Sequence, residues 1–188
     1  MAKGPQIHIC LWFDSQAEDA AKFYTGIFKK SKIRSITRYG KAGFEVHKRP
    51  AGSVMTVDFE LDGQRFTALN GGPLFKFNES ISIEVHCDSQ KEVDYYWEKL
   101  TAGGDPKAQQ CGWLKDKYGV SWQVIPDGMN EMLSDPSSPR SQRAFAAMMN
   151  MKKLDLAALK KAYRQIASPP RSRRSFECSA TLRATSTS

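Results

Sequence analysis

The stretch Asp14-Ser-Gln-Ala-Glu18 recurs as Asp88-Ser-Gln-Lys-Glu92, 74 positions later (88 minus 14). An alternating apolar segment precedes each copy, and an aromatic-rich segment follows it. Both copies contain the Ser-x-x-Glu pattern of a capping box, so Ser15 and Ser89 are the predicted N-caps of two helices. A repeated strand, cap and helix predicts an internally duplicated fold.

The segments before the two copies superpose without a gap. Their alternation predicts two strands, each with one apolar face and one polar face. On the apolar faces, Ile7, Ile9, Leu11 and Phe13 correspond to Ile81, Ile83, Val85 and Cys87. The polar faces carry His8, Cys10 and Trp12 in the first copy, and Ser82, Glu84 and His86 in the second.

The remaining strands follow the same plan. In the first copy, strands are predicted at residues 31–39, 54–61 and 64–70, with an Asp-Gly turn between the last two. In the second copy, they are predicted at residues 107–114 and 120–125. Aligning Gly63 on Gly119 places Phe66 on Trp122 and Thr67 on Gln123. We therefore expect an α+β domain, residues 5–130, of two βαβββ modules at about residues 5–75 and 79–127.

Several motifs resemble the vicinal oxygen chelate, or glyoxalase-like, superfamily. Residues 11–14 (LWFD), 70–73 (NGGP) and 113–117 (WLKDK) are similar to the PhnB-like branch, often labelled 3-demethylubiquinone 3-methyltransferase. The resemblance covers roughly residues 5–167. It implies that the two modules form a cupped, mostly antiparallel mixed sheet, and that the protein is a homodimer binding a small polar or anionic metabolite in the cup.

The methyltransferase label has little support in the residues. A methyl donor of the S-adenosylmethionine type usually binds at a glycine-rich turn between a parallel strand and a helix. Gly71-Gly72 runs into a proline, and Gly103-Gly104 follows a helix, so both pairs are interpreted as turns. We do not expect methyl transfer.

The superfamily resemblance also implies a place for a divalent metal, on the first and last strands of each module. By the internal repeat, these positions hold His8, Thr67, Ser82 and Gln123. Serine and threonine hydroxyls are poor ligands for zinc or iron, and Gln123 stands where the superfamily usually has a glutamate. The usual divalent-metal site is therefore expected to be degraded, the cofactor is unknown, and no metal ligand is assigned.

Three residues are candidate catalytic groups. His8 and Glu84 could move protons, and Cys10 could act as a nucleophile if a base or a positive field lowered its pKa. His86 shares a strand face with Glu84, and His8 could approach them from the other module. It is therefore open whether these three residues bind a metal or whether His86 has only a structural or hydrogen-bonding role. The candidate ligand-binding residues are Trp12, Thr67, Asn70, Ser82, His86, Trp122 and Gln123.

The C-terminal part has a different composition. Helices are predicted at Arg140–Met149 and Asp155–Ile166, within a helical extension at residues 131–167. Residues 168–188 are rich in Pro, Ser, Arg and Thr and are expected to form a disordered tail. Neither helix is long or apolar enough to cross a membrane.

Charge and cysteine content set further limits. The chain carries a formal net charge of +8 but no basic stripe with interleaved aromatics, so nucleic-acid binding is not expected. Four cysteines without paired short spacing predict neither a disulfide framework nor a zinc ribbon. Together with the lack of a signal-peptide pattern, they favour a cytoplasmic protein.

Three functions remain open at this point. The chain could be an enzyme acting on a small metabolite, including a metal-dependent lyase, isomerase or dioxygenase. It could instead be a metal-free binding or sequestering protein whose aromatic walls supply the affinity. A scaffold without a ligand is the third.

Overall fold

In the computed structural model of the chain, residue 4 and residues 6–165 are described. The first module forms a four-stranded mixed sheet whose order is β1-β4-β3-β2. Its strands are β1 (Ile9–Phe13), β2 (Lys32–Arg38), β3 (Val54–Leu61) and β4 (Gln64–Asn70). Helix α1 (Ala17–Ile27) follows β1, and the short helix α2 (Phe44–His47) lies between β2 and β3.

The second module forms a separate three-stranded sheet whose order is β5-β7-β6. Its elements are β5 (Ile83–Cys87), helix α3 (Gln90–Thr101), β6 (Trp113–Lys115) and β7 (Ser121–Pro126). The predicted α+β class is confirmed. The described part of this module nevertheless has one strand fewer than the first, and within residues 6–165 the two modules form separate sheets.

The shortened module has a local cause. The predicted strand at residues 107–114 is wrong over its first half, where Pro106–Ala108 forms a 3₁₀ turn. The Asp105 carboxylate accepts a hydrogen bond from the Lys107 N–H at 2.8 Å and caps this turn. Proline has no N–H for a strand ladder and suits the start of a helical turn.

The internal repeat is confirmed by the strand register. β1 lies parallel to β4 with Ile9 opposite Phe66, and β5 lies parallel to β7 with Ile83 opposite Trp122. One residue later, Cys10 is opposite Thr67, as Glu84 is opposite Gln123. Because side chains alternate along a strand, the two modules place equivalent positions on equivalent faces.

The two helices of the repeat begin differently. Ser89 caps α3 as predicted, since its Oγ accepts from the Glu92 N–H at 3.3 Å. The predicted cap at Ser15 is wrong, because Gln16 is the N-cap of α1 and its side chain makes no capping bond. Instead, Oδ1 of the distant Asn70 accepts from the Ala17 N–H at 2.8 Å.

The modules pack together through their helices in one hydrophobic core. Tyr24 of α1 donates a 2.7 Å hydrogen bond to Oδ2 of Asp116, which precedes β7. The Tyr95 hydroxyl of α3 donates to the Ile27 carbonyl at 3.0 Å. These bonds join the first module to the second through buried or half-buried groups.

A helical extension packs on the second module. It comprises α4 (Met129–Leu133), α5 (Pro139–Met149) and α6 (Leu156–Arg164). The two predicted helices are confirmed, with Asp155 capping α6, and α4 is additional. The extension buries Ile125 of β7 in a second apolar cluster with Leu154 and Leu159. The predictions for residues 5 and 166–188 lie outside the described residues.

Two predicted core residues are exposed. Ile7 and Ile81 precede the strands β1 and β5 by two residues each and retain 88% and 74% of their accessible surface. They occupy equivalent positions in the repeat, so the same apolar position is uncovered in both modules. Among the described residues, no helix has the length and apolar character needed to span a membrane.

Candidate functional site

A cavity of about 590 Å³ opens along the line where the two modules meet. We call it the seam cavity. We call its apolar lining the floor, which comprises Ile9, Phe28, Leu61, Phe66, Ile83, Val85 and Tyr96 over the buried Trp122. We call its charged and polar lining the mouth, which comprises Lys29, Lys30, Asp62, Gln64, Glu84, His86, Asp88 and Glu92. This volume is in the range of small-molecule sites, which combine an apolar lining with a few polar groups.

The aromatic floor is ordered by stacking across the modules. Phe28 of α1 stacks on Tyr96 of α3 with ring centroids 5.0 Å apart, and on Trp122 of β7 at 5.5 Å. Phe28 and Tyr96 are only partly buried. A ligand in the cavity would therefore meet ring surface contributed by both modules.

Four predicted site residues lie together on the outer face of the second sheet. The Gln123 Nε2 donates to Ser82 Oγ at 2.8 Å and reaches Glu84 Oε1 at 3.4 Å. The other oxygen of Glu84, Oε2, lies 3.1 Å from His86 Nε2. The result is a continuous polar chain, and its last two members stand at the mouth of the seam cavity.

Cys10 and Thr67 lie on the outer face of the first sheet, beside an acid that the sequence analysis missed. The Asp58 carboxylate accepts from Thr67 Oγ1 at 2.7 Å and from Ser35 Oγ at 2.9 Å. Partial burial and the Asp58 charge raise the pKa of the Cys10 thiol. A nucleophilic cysteine needs a lowered pKa, so this environment disfavours the predicted catalytic role of Cys10.

Trp12 and Asn70 occupy the end of the same sheet and have structural partners. The Trp12 Nε1 donates to the Gly72 carbonyl at 2.8 Å, and its ring packs edge-on against Phe75. Asn70 is buried, with Oδ1 capping α1 and Nδ2 donating to the Val54 carbonyl at 3.0 Å. The polar atoms of both side chains are already engaged, and their ligand-binding role stays a prediction.

Trp122, another predicted ligand-binding residue, is fully buried. It has no accessible surface, and its Nε1 donates to Asp116 Oδ2 at 2.8 Å. The Asp116 carboxylate accepts two further bonds from the Tyr118 and Val120 N–H groups. Burial raises the pKa of this carboxyl, against the opposing effect of its hydrogen bonds. Trp122 therefore lies beneath the floor of the seam cavity, where it has neither accessible surface nor a free N–H to offer a ligand.

The four positions implied for a divalent metal do not fit one. The Thr67 hydroxyl donates to Asp58, and the Ser82 hydroxyl accepts from Gln123. Thr67 belongs to the first sheet, whereas Gln123 belongs to the second. His8 is exposed just before β1. Within residue 4 and residues 6–165, no group of three or more His, Cys, Asp and Glu side chains is arranged to hold a metal ion.

Comparison with known proteins supports the resemblance seen in the motifs. The model of the family described as 3-demethylubiquinone-9 3-methyltransferase matches residues 5–125. The chain belongs to this family. Its helical extension lies almost wholly beyond the matched residues. No curated protein matches the chain.

Among solved structures, a putative 3-demethylubiquinone-9 3-methyltransferase, PhnB protein, from Bacillus cereus is 35% identical, with a TM-score of 0.55. The match covers 65% of this chain and 99% of that one. Protein PA1353 from Pseudomonas aeruginosa is 19% identical over 65% and 98% of the two chains, with a TM-score of 0.49. The fosfomycin resistance protein FosX from Mesorhizobium loti is 14% identical over 72% and 100%, with a TM-score of 0.48.

Proposed function

We propose that this family member binds a small organic molecule in the seam cavity without using a metal ion. The single observation that carries the proposal is the cavity itself, in which stacked aromatic rings form the floor and the Glu84–His86 pair stands at the mouth. Apolar walls supply affinity by excluding water, and a few polar groups fix the orientation of the ligand. No part of the proposal requires methyl transfer.

The test compares a blocked cavity with a matched control. Ile9 lines the seam cavity and is 37% exposed, whereas Ile36, on the other edge strand of the same sheet, is 38% exposed and lies elsewhere. We expect naphthylmethanol, a neutral aromatic probe, to bind saturably to the unmodified protein and to Ile36→Trp in calorimetric titration. Ile9→Trp should bind it at least tenfold more weakly, because the indole fills the cavity.

Two results would contradict this proposal. One is no saturable binding to the unmodified protein, and the other is equal binding to Ile9→Trp and Ile36→Trp. Far-ultraviolet circular dichroism and the oligomeric state of each variant should be recorded with the titrations, so that misfolding or dissociation is not scored as blocked binding.

We also propose that the working form is a homodimer. Ile7 and Ile81 are large apolar side chains left exposed at equivalent positions of the repeat, and a partner subunit would cover them. Light scattering should give a dimer for the unmodified protein and a monomer for Ile7→Lys.

Val46→Lys is the matched control for the dimer, because Val46 is 83% exposed and belongs to α2, between β2 and β3 in the chain. It should remain dimeric. A monomeric unmodified protein, or equal dissociation of both variants, would overturn the dimer.

A further inference from the structure

We propose that the seam cavity is selective for organic cations, namely molecules with an apolar body and a protonated amine. This inference rests on the proposed binding function and assigns its ligand class. The resemblance implied a small polar or anionic metabolite, and the net negative charge of the cavity lining disfavours the anionic alternative.

The mouth of the seam cavity is acidic. Its four carboxylates, Asp62, Glu84, Asp88 and Glu92, face two lysines, which leaves a formal charge of −2 with His86 neutral. Charges placed around a cleft with low-dielectric walls focus the electric field on the space between them. An ammonium group in this mouth is therefore attracted, and a carboxylate is repelled.

The two lysines do not reverse this balance. Their side chains are 81% and 85% exposed, so their ammonium groups are hydrated. The Lys29 Nζ lies 4.0 Å from Glu92 Oε1, and the Lys30 Nζ lies 3.9 Å from Asp62 Oδ1. Each lysine therefore partly neutralises the charge of one carboxylate, without a close contact. Glu84 and Asp88 are left without a lysine partner among the described ion pairs.

The floor supports the same ligand class by a second interaction. Tyr96 and Trp122 stack on Phe28, so the Phe28 ring has little free face, but Tyr96 is partly exposed and stacks through one face only. The free face of an aromatic ring attracts a cation through its quadrupole. Burial raises the pKa of the Tyr96 hydroxyl, so this residue stays neutral. Aromatic surface next to carboxylates favours an amine that is joined to an apolar body.

The chain as a whole has a formal net charge of +8. Non-specific attraction would consequently favour an anionic probe over a cationic one. A measured preference for a cation has to come from a local acidic site, which makes the sign of the preference informative.

The experiment titrates the full-length protein with three probes of one shape: naphthylmethylamine, naphthylmethanol and naphthoate. At pH 7 and low ionic strength, we expect the amine to bind about tenfold more tightly than the alcohol, and the carboxylate at least tenfold more weakly. About 0.5 M salt should reduce the amine's advantage severalfold, because charges at an open mouth are screened.

Glu84→Gln should reduce the amine-to-alcohol affinity ratio about threefold. Glu45→Gln, which removes an exposed carboxylate on α2 outside the cavity, should leave that ratio unchanged. Equal affinity for the three probes, tightest binding of naphthoate, or the same ratio in both variants would overturn the cation assignment. If the alcohol binds while the amine shows no advantage, only this inference fails. If none of the probes binds, the proposed binding function itself fails.

Discussion

The buried Asp116 carboxylate links the two modules, and substituting it tests how much this link stabilises the protein. Its Oδ2 accepts from two side chains of the shared core, Tyr24 and Trp122, while its Oδ1 accepts from the Tyr118 and Val120 N–H groups. In Asp116→Asn, Oδ1 can still accept both backbone hydrogen bonds. The new side-chain NH₂ group, however, replaces the oxygen that accepted from the Tyr24 hydroxyl and the Trp122 indole N–H. The Tyr24 hydroxyl can rotate and accept, whereas the indole N–H has no acceptor lone pair.

The expected loss in the free energy of unfolding follows from the number of hydrogen bonds that are lost or weakened. One buried donor left without a partner costs about 1–3 kcal/mol, and replacing a charged acceptor by a neutral one weakens the remaining bonds. We therefore expect Asp116→Asn to lower the free energy of unfolding by about 3 kcal/mol. Tyr24→Phe removes one bond to a charged group and should cost about 2 kcal/mol.

The decisive assay is a double-mutant cycle by urea unfolding. Because the Tyr24 bond is already weakened in Asp116→Asn, Tyr24→Phe should cost about 1 kcal/mol less in that background than in the unmodified protein. Thr25→Val, on the same helix and without a bond to Asp116, is the control and should be additive with Asp116→Asn. Additivity of the Tyr24 and Asp116 changes within about 0.5 kcal/mol would refute the reasoning.

Three further changes test separate parts of the molecule. Since the pKa of Cys10 is raised, iodoacetamide should alkylate it more slowly at pH 8 than a free thiol, and Asp58→Asn should speed the reaction severalfold; an unchanged rate would remove Asp58 as a cause. In Gly71→Ala the new Cβ would overlap the Trp12 ring, so we expect a loss of about 1–3 kcal/mol and a shifted tryptophan emission, and native emission would disprove the close approach. Leu154→Ala should cost about 2–5 kcal/mol in urea unfolding, unless the helical extension unfolds independently of the modules, in which case a separate earlier transition would appear.

Local sequence patterns predicted the strands well because side chains alternate between the two faces of a strand, so that every second residue is apolar. The alternation around Ile9 and Ile83, with the Gly63–Gly119 alignment, gave the same faces that the parallel pairs β1–β4 and β5–β7 display. Such patterns failed where the partner is remote in sequence. Ser15 satisfies the capping box, but Asn70 reaches the start of α1 from a neighbouring strand and supplies the bond instead.

The alternation of side chains along a strand also predicted which candidate site residues lie on the same face. Ser82, Glu84, His86 and Gln123 share one face by strand parity and do form one polar chain. Asp58 was missed because a carboxylate on an alternating strand is typical of a solvated face. The hydroxyl residues Ser35 and Thr67 lie opposite Asp58 on the neighbouring strands and indicate its role. This pattern can be seen only once β2, β3 and β4 are aligned.

The seam cavity arises from the duplication. Because the modules pack through α1 and α3, their equivalent strands β1 and β5 face the same gap with equivalent residues, Ile9 and Ile83. Past that shared floor the two copies differ: β5 has Glu84 and His86, whereas the corresponding positions of β1 are Cys10 and Trp12. A symmetric scaffold thus produces an asymmetric cavity, with three of the four carboxylates on the side of the second module. Exchanging Glu84 and Cys10 between the modules would move a carboxylate away from the mouth without changing the composition of the chain. We expect that double variant to lose much of the amine preference, and an undiminished preference would show that the charge of Glu84 at that position is not what selects the ligand.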